Sequence, residues 1–340
     1  MEKVKVEDAV GMILGHDMTQ VIPGEFKGVR FKKGHLVQKE DIPVLKSMGK
    51  DHIYLMELGD DECHEEEAAN RIAQAIAGQG VSYTQASEGK VTLKAEYGGL
   101  LKVDVDLLYR LNNIEDVTIA TLHNNTVVEA KSKLAGTRII PLKTAKGNIE
   151  EVEELSREKE LLRIKPFIRR RIGVIITGNE VYYGRIEDKF ASVFKSKAAE
   201  YNLPIEEVIY APDDPQRIAE AIQKLVETGI ELILTGGGMS VDPDDVTPTG
   251  IKASGARIES YGAPVLPGSM FMVAYLGEVA ILGTPACAMF NKRTILDLIL
   301  PRVLAGEEVS REDIIALGHG GLCRSCQECN YPICPVGKGV

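Results

Sequence analysis

The chain has 340 residues, enough for two or three domains, and its 44% hydrophobic and 26% charged content is ordinary for a globular protein. A formal net charge of −10 argues against nonspecific attraction to nucleic acid or anionic membranes, and the lack of Trp argues against stacking platforms for bases. Neither a nucleic-acid partner nor a membrane partner is expected.

The first residues, MEKVKVEDAVG, carry no apolar core of signal-peptide length, so a cytoplasmic location is expected. Residues 1–60 read as a small β-rich module with one helix over 39–48 and a closing strand over 52–56. The acidic run DDECHEEE (60–67) leads into a helix over 68–77. Cys63 and His64 stand side by side as a metal pair would, but the run reads more simply as a solvated acidic helix start. Strand signals return in VTLKAEYGGLLKVDVDLLYRLN, VTIATLHNNTVV and TRIIPLK. The stretch IEEVEELSREKELLRIK (149–165) has helical spacing, so 61–168 reads as a second β-rich, α+β module with linking helices.

From Ile172 the pattern changes. IGVIITG is a continuous apolar strand, FASVFKSKAAEY a helix, and EEVIYAPDD a second strand. Asp214 is placed to cap a helix that begins at Pro215, with Ile218, Ile222, Leu225 and Val226 as its apolar stripe. ELILTGGG follows as a third strand. The stretch MFMVAYLGEVAILGTPACAMF (270–290) is broken by glycines and Pro285 into two strands and a helix start, and so is no membrane span. Strands alternating with helices predict an α/β fold over 169–306, an open, mostly parallel sheet with helices on both faces. Ligands of such sheets sit at the carboxyl ends of the strands. Those ends carry Thr177-Gly178-Asn179-Glu180, Asp213-Asp214 and Thr235-Gly236-Gly237-Gly238, the last opening LTGGGMSVDPDD, where three aspartates follow three glycines. A glycine cradle beside carboxylates suits metal-assisted phosphoryl or nucleotidyl transfer.

TGNEV, GRIED, APDD and LTGGGMSVDPDDVTP, followed by LPGSMFM and ILGTPACA, stand in the order and spacing of the molybdopterin-binding domain. The chain thus resembles molybdopterin molybdotransferases and adenylyltransferases over roughly 170–306. The resemblance implies a pocket for molybdopterin or its adenylylated form, built from Thr177, Gly178, Thr235, Gly236, Gly237, Gly238, Ser240, Pro267, Gly268, Gly283 and Pro285. It places Glu180, Asp214 and Asp245 as catalytic acids handling Mg²⁺, molybdate or hydrolysis, and implies self-association. Two departures stand out. Pro267-Gly268-Ser269-Met270 replaces a Pro-Gly-Lys-Pro stretch, removing a cation worth about 1–3 kcal/mol in a charge-assisted contact, and no Thr-Gly-Ala-Pro-type loop occurs in the front half.

The tail, residues 307–340, holds CRSCQECNYPICP, with Cys323, Cys326, Cys329 and Cys334 spaced C-x2-C-x2-C-x4-C-P. That is close to a ferredoxin run, whose last gap is three residues, and four thiolates equally suit tetrahedral zinc. Cys63 and Cys287 read as structural, Cys287 at the start of a buried helix. Three functions are carried forward: a molybdotransferase-like enzyme, a non-catalytic molybdopterin carrier or sensor that docks a molybdoenzyme or its maturation proteins, and a nucleotide pyrophosphatase of the same fold.

Overall fold

The computed structural model describes residues 2–55 and 58–339. The chain divides into two compact units, one formed by residues 1–96, 103–122 and 130–163, the other by 97–102, 123–129 and 164–340. Among the described residues no helix is long and apolar enough to cross a membrane.

In the first unit, strand Glu2–Lys5 pairs antiparallel with His52–Leu55, and a hairpin joins Met18–Ile22 to Phe26–Phe31. Their core gathers Val6, Leu14, Phe31 and Ile53 around Leu45 of helix Asp41–Ser47. Met56, expected in the closing strand, lies outside the described residues. A four-stranded antiparallel sheet follows, ordered Val81–Tyr83, Val91–Ala95, Lys133–Ile139 and Val117–Thr121. Helix Glu65–Ile76 buries Ala69, Ile72, Ala73 and Ile76, one stripe at helical spacing.

Three local expectations are corrected over residues 60–165. The segment VDLLYRLN is a helix, Val105–Asn112, because Asp104 caps it by accepting from Leu107 N at 2.9 Å. The helix over 149–165 stops early. It spans Lys146–Glu158, Lys159 turns extended at φ −148°, and Leu162–Lys165 is a strand whose Leu162 and Ile164 are buried on alternate positions. The acidic run is exposed at Asp60, Asp61 and Glu67 as expected, but Glu65 is only 4% exposed, and burial pushes its carboxyl above the ordinary range. His64 is no free ligand either. Its Nδ1 accepts from Glu66 N at 3.2 Å, while Nε2 lies 2.9 Å from Gly15 O. Cys63 is fully buried, with its thiol pushed up to about 11 by that burial.

The second unit is built on a six-stranded sheet. Its elements are β1 (Ile172–Thr177), α1 (Asn179–Tyr182), α2 (Phe190–Ala199), β2 (Ile205–Ala211), α3 (Pro215–Glu227), β3 (Leu232–Gly236), α4 (Thr247–Ala253), β4 (Arg257–Tyr261), β5 (Met272–Leu276), β6 (Val279–Thr284), α5 (Ile295–Leu304) and α6 (Arg311–Ala316). The strand order is β2-β1-β3-β6-β5-β4. The first four run parallel, and β5 and β4 complete the sheet as antiparallel strands. Alternate side chains go to opposite faces. Val174, Ile176, Leu232 and Leu234 pack with Phe194 of α2 and Ile299 of α5, while Ile175, Ile233 and Ile281 meet Ile218 and Ile222 of α3. Both faces are therefore covered by helices, as an all-apolar strand such as IGVIIT requires. The mostly parallel α/β sheet expected from the sequence is present.

Candidate functional site at the strand ends

In register, Thr177 lies opposite Ala211, Ile176 opposite Gly236, and Gly236 opposite Thr284. Four parallel strands thus finish at one level, and the loops beyond them share one end of the sheet. The loop after β3 is tied down from below. Thr177 Oγ1 and Thr247 Oγ1 share a hydrogen bond of 2.8 Å, and Thr247 Oγ1 donates to Gly237 O at 2.9 Å. Above this lock, Gly237 and Gly238 take φ of +100° and +55°. An added Cβ at Gly237 would stand 2.1 Å from Thr177 O, so only glycine lets the loop pass this close.

A cavity of about 440 Å³ opens beside this loop. Its walls include Gly237, Gly238, Ser240 and Asp245 from the β3 side, Pro267 and Gly268 before β5, and Pro285 after β6. Among the described residues, the N–H groups of Gly237 and Gly238 have no acceptor within the protein. Asp245 accepts from Ser240 N at 3.1 Å, which folds the aspartate-rich segment back onto the glycines. No Lys or Arg stands on the wall, in keeping with Ser269 and Met270 where a lysine was missed in the sequence. Two unpartnered N–H donors and a nearby carboxylate fit an anionic group that arrives with a cation.

Other residues expected to contact the cofactor serve the packing underneath. Gly236 is buried where a Cβ would lie 2.5 Å from the Phe190 ring, and Gly283 is covered by Met239, whose Cε would be 2.6 Å from a Cβ. Thr235 is fully buried, and its hydroxyl has no hydrogen-bond partner among the described residues. Thr177 acts through the threonine lock, and Gly178, at φ +134°, turns the chain from β1 into α1.

The acidic residues divide unexpectedly. Asp214 spends its carboxylate as the cap of α3, accepting from Gln216 N at 2.8 Å and Arg217 N at 3.0 Å. Its neighbour Asp213 is the half-buried one. It accepts from Asn179 N at 2.8 Å, and Asn179 Oδ1 accepts from Asp213 N at 3.3 Å. Burial pushes the Asp213 carboxyl above the ordinary carboxylate range, and the charges of Glu180, Asp245 and Asp244 push the same way. Glu180, expected as a catalytic acid, is exposed on α1, close enough to be felt by Asp213. Sequence reasoning missed Asp213 because both aspartates suit a cap, and only the backbone direction decides which one caps. Cys287 was also misread. It lies in a short 3₁₀ turn, half-buried, on the cavity wall, where burial raises its thiol.

Comparison with known proteins bears on the same segment. Residues 173–305 match the family described as "Probable molybdopterin binding domain". This part of the chain is similar to that domain family. Residues 3–57 match a domain of unknown function, DUF8806. A CinA-like protein of Mycobacterium tuberculosis is 30% identical over 80 residues, 24% of this chain and 19% of that protein, so the chain spans about a fifth of the length of the curated relatives it matches. Among solved structures, CinA from Thermoplasma acidophilum covers 39% of this chain and 98% of its own at 16% identity and a TM-score of 0.35. The molybdopterin biosynthesis MoeA protein from Pyrococcus horikoshii covers 78% of each chain at 14% identity and a TM-score of 0.34. The strand-end cavity lies within the matched segment, as does every residue named on its wall.

Proposed function

We propose that this chain binds molybdopterin or its adenylylated form in the strand-end cavity, as a cytoplasmic, self-associating protein of molybdenum cofactor biosynthesis. The observation that carries the reading is the pair of unpartnered N–H groups at Gly237 and Gly238 on a cavity inside the matched domain. A phosphate of the ligand would take those donors. With no basic side chain on the wall, Mg²⁺ would supply the counter-charge, held between the ligand's phosphate and Asp245 on the wall, with Asp213 and Glu180 as the neighbouring carboxylates whose charge reaches the site. Once bound, the cation polarises a phosphoryl oxygen and neutralises charge on it. The role expected of Asp214 is assigned to Asp213, which is half-buried and feels the charges of Glu180 and Asp245, whereas Asp214 caps α3.

Calorimetric titration of the full chain with molybdopterin and with its adenylylated form, with and without Mg²⁺, tests the reading. Saturable binding that strengthens with Mg²⁺ is expected, and no binding of either ligand would overturn it. Release of AMP on adding molybdate would extend the function to a molybdotransferase, whereas tight binding without turnover leaves a carrier or sensor. One observation favours a second reading: 80 residues of this chain are 30% identical to a CinA-like protein, which keeps the nucleotide pyrophosphatase of the same fold in view. Hydrolysis of free dinucleotides in the absence of pterin would establish that pyrophosphatase activity instead.

A further inference from the structure

The cysteine tail is a closed strap. After α6, Leu266 N donates to Gly321 O at 3.0 Å and Cys323 N donates to Leu266 O at 2.8 Å, a short two-way bridge to the segment before β5. Further along, Tyr331 OH donates to the backbone carbonyl of Asp297 at 3.1 Å, and the Arg293 guanidinium lies 4.9 Å over the Tyr331 ring. Arg293 is itself fixed by Asp297 at 2.8 Å and Glu200 at 2.6 Å. Gly337 N then donates to Gly320 O at 3.1 Å, which returns the strap to its own beginning. A chain held at three points over some twenty residues is not a loose end.

What the strap encloses is chemically unusual. All four of its thiols are free, and Cys323, Cys326, Cys329 and Cys334 line a single cavity of about 470 Å³. Lys292, Arg293 and Arg324 stand on the same wall. We propose that these four cysteines ligate one metal centre, a tetrathiolate site held against the face of the domain that carries α2 and α5. In a two-cluster ferredoxin run the fourth cysteine serves a different cluster. Here the closure at Gly337 and Gly320 brings Cys334 to the cavity of the other three, so all four serve the same centre.

Charge supports the assignment. Each thiol loses its proton on ligation, and four thiolates around zinc or an iron–sulfur core leave a net negative group. Lys292 and Arg324 on the wall offset that charge, Arg293 being paired already with Asp297 and Glu200. Among the described residues no three of His, Cys, Asp and Glu stand close enough to share an ion, so ligation would require the four thiols to draw together within the strap. Zinc and an iron–sulfur cluster share this ligand chemistry, and the experiment separates them.

The full chain is purified anaerobically and assayed for zinc, iron, acid-labile sulfide and visible absorption. In parallel, the metal-stripped chain is titrated with cobalt(II) and followed by its thiolate charge-transfer band. One equivalent of zinc without a visible band, or iron with matching sulfide and a visible band, is the expected result, with the cobalt band saturating near one equivalent. The quadruple variant C323S/C326S/C329S/C334S should lose the metal and the cobalt band while keeping the thermal unfolding of a folded protein. C334S alone should weaken cobalt binding at least tenfold and alter the band. A wild-type chain that gives no cobalt band, or a quadruple variant that keeps its metal, overturns the proposal, and unchanged binding in C334S overturns the single four-thiolate centre.

Discussion

At the turn after β2, two adjacent carboxylates have separate partners, and substitution should tell them apart. Asp214→Ala removes the α3 cap and should cost about 0.5–2 kcal/mol of stability, read by chemical denaturation, with ligand affinity unchanged. Asp213→Asn should do the reverse: Mg²⁺-dependent ligand binding falls while stability does not. The sign follows from the direction of its shift. The folded-state pKa of Asp213 is raised, so the folded chain holds this proton more tightly than the unfolded one. Its stabilising contribution is full below the ordinary carboxylate pKa and is lost as pH rises through the folded value. Thermal unfolding should therefore show the Asn variant at least as stable as the wild type at neutral pH, with the gap changing through the acid carboxylate range. Gly237 makes a third point at this scale. Gly237→Ala sets a Cβ 2.1 Å from a backbone oxygen at φ +100°, and should lower stability by about 1–3 kcal/mol and abolish ligand binding. Gly184, at φ +69° with open space around it, should tolerate Ala at a cost of only about 1–2 kcal/mol.

The elements explain which expectations survive contact with the fold. β1 and β3 open as apolar runs and are buried along their whole length, and a strand covered on both faces uses such a run, so their burial within the sheet was legible. The helix after Pro215 was legible too, because cap, proline and apolar stripe agree. The stretch 149–165 was not. LLRIK has apolar residues compatible with either period, and burial of Leu162 and Ile164 in a strand decides between them. The lock between Thr177 and Thr247 likewise leaves no trace in sequence, since its members are 70 positions apart. Thr247→Val keeps the shape and deletes the hydroxyl that bonds Gly237 O and Thr177 Oγ1. It should cost about 1–3 kcal/mol, and hydrogen exchange should show the glycine loop opening more often than the strand beneath it.

Over the whole molecule, ligand binding is linked to folding. A ligand bound by the folded chain alone stabilises it by about 2.7 kcal/mol at a hundred times its dissociation constant. Molybdopterin with Mg²⁺ should therefore raise the unfolding temperature of the wild type and leave that of the Asp213→Asn variant nearly unmoved, as differential scanning would record. The domain holding the cavity was recognisable because its motifs recur at strand ends, and strand ends are where an open α/β sheet presents loops. By itself the amino-acid sequence determined the alternation of strands and helices, the glycine–aspartate loop and the spacing of the tail cysteines, all of which depend on neighbours close along the chain. Only the tertiary structure decided which glycines face the cavity and which sit under Phe190 or Met239, which aspartate caps and which is half-buried, and that Cys334 shares a cavity with Cys323. These depend on strand register and on the closing of long loops, and both bring together groups whose separation along the chain carries no local signal.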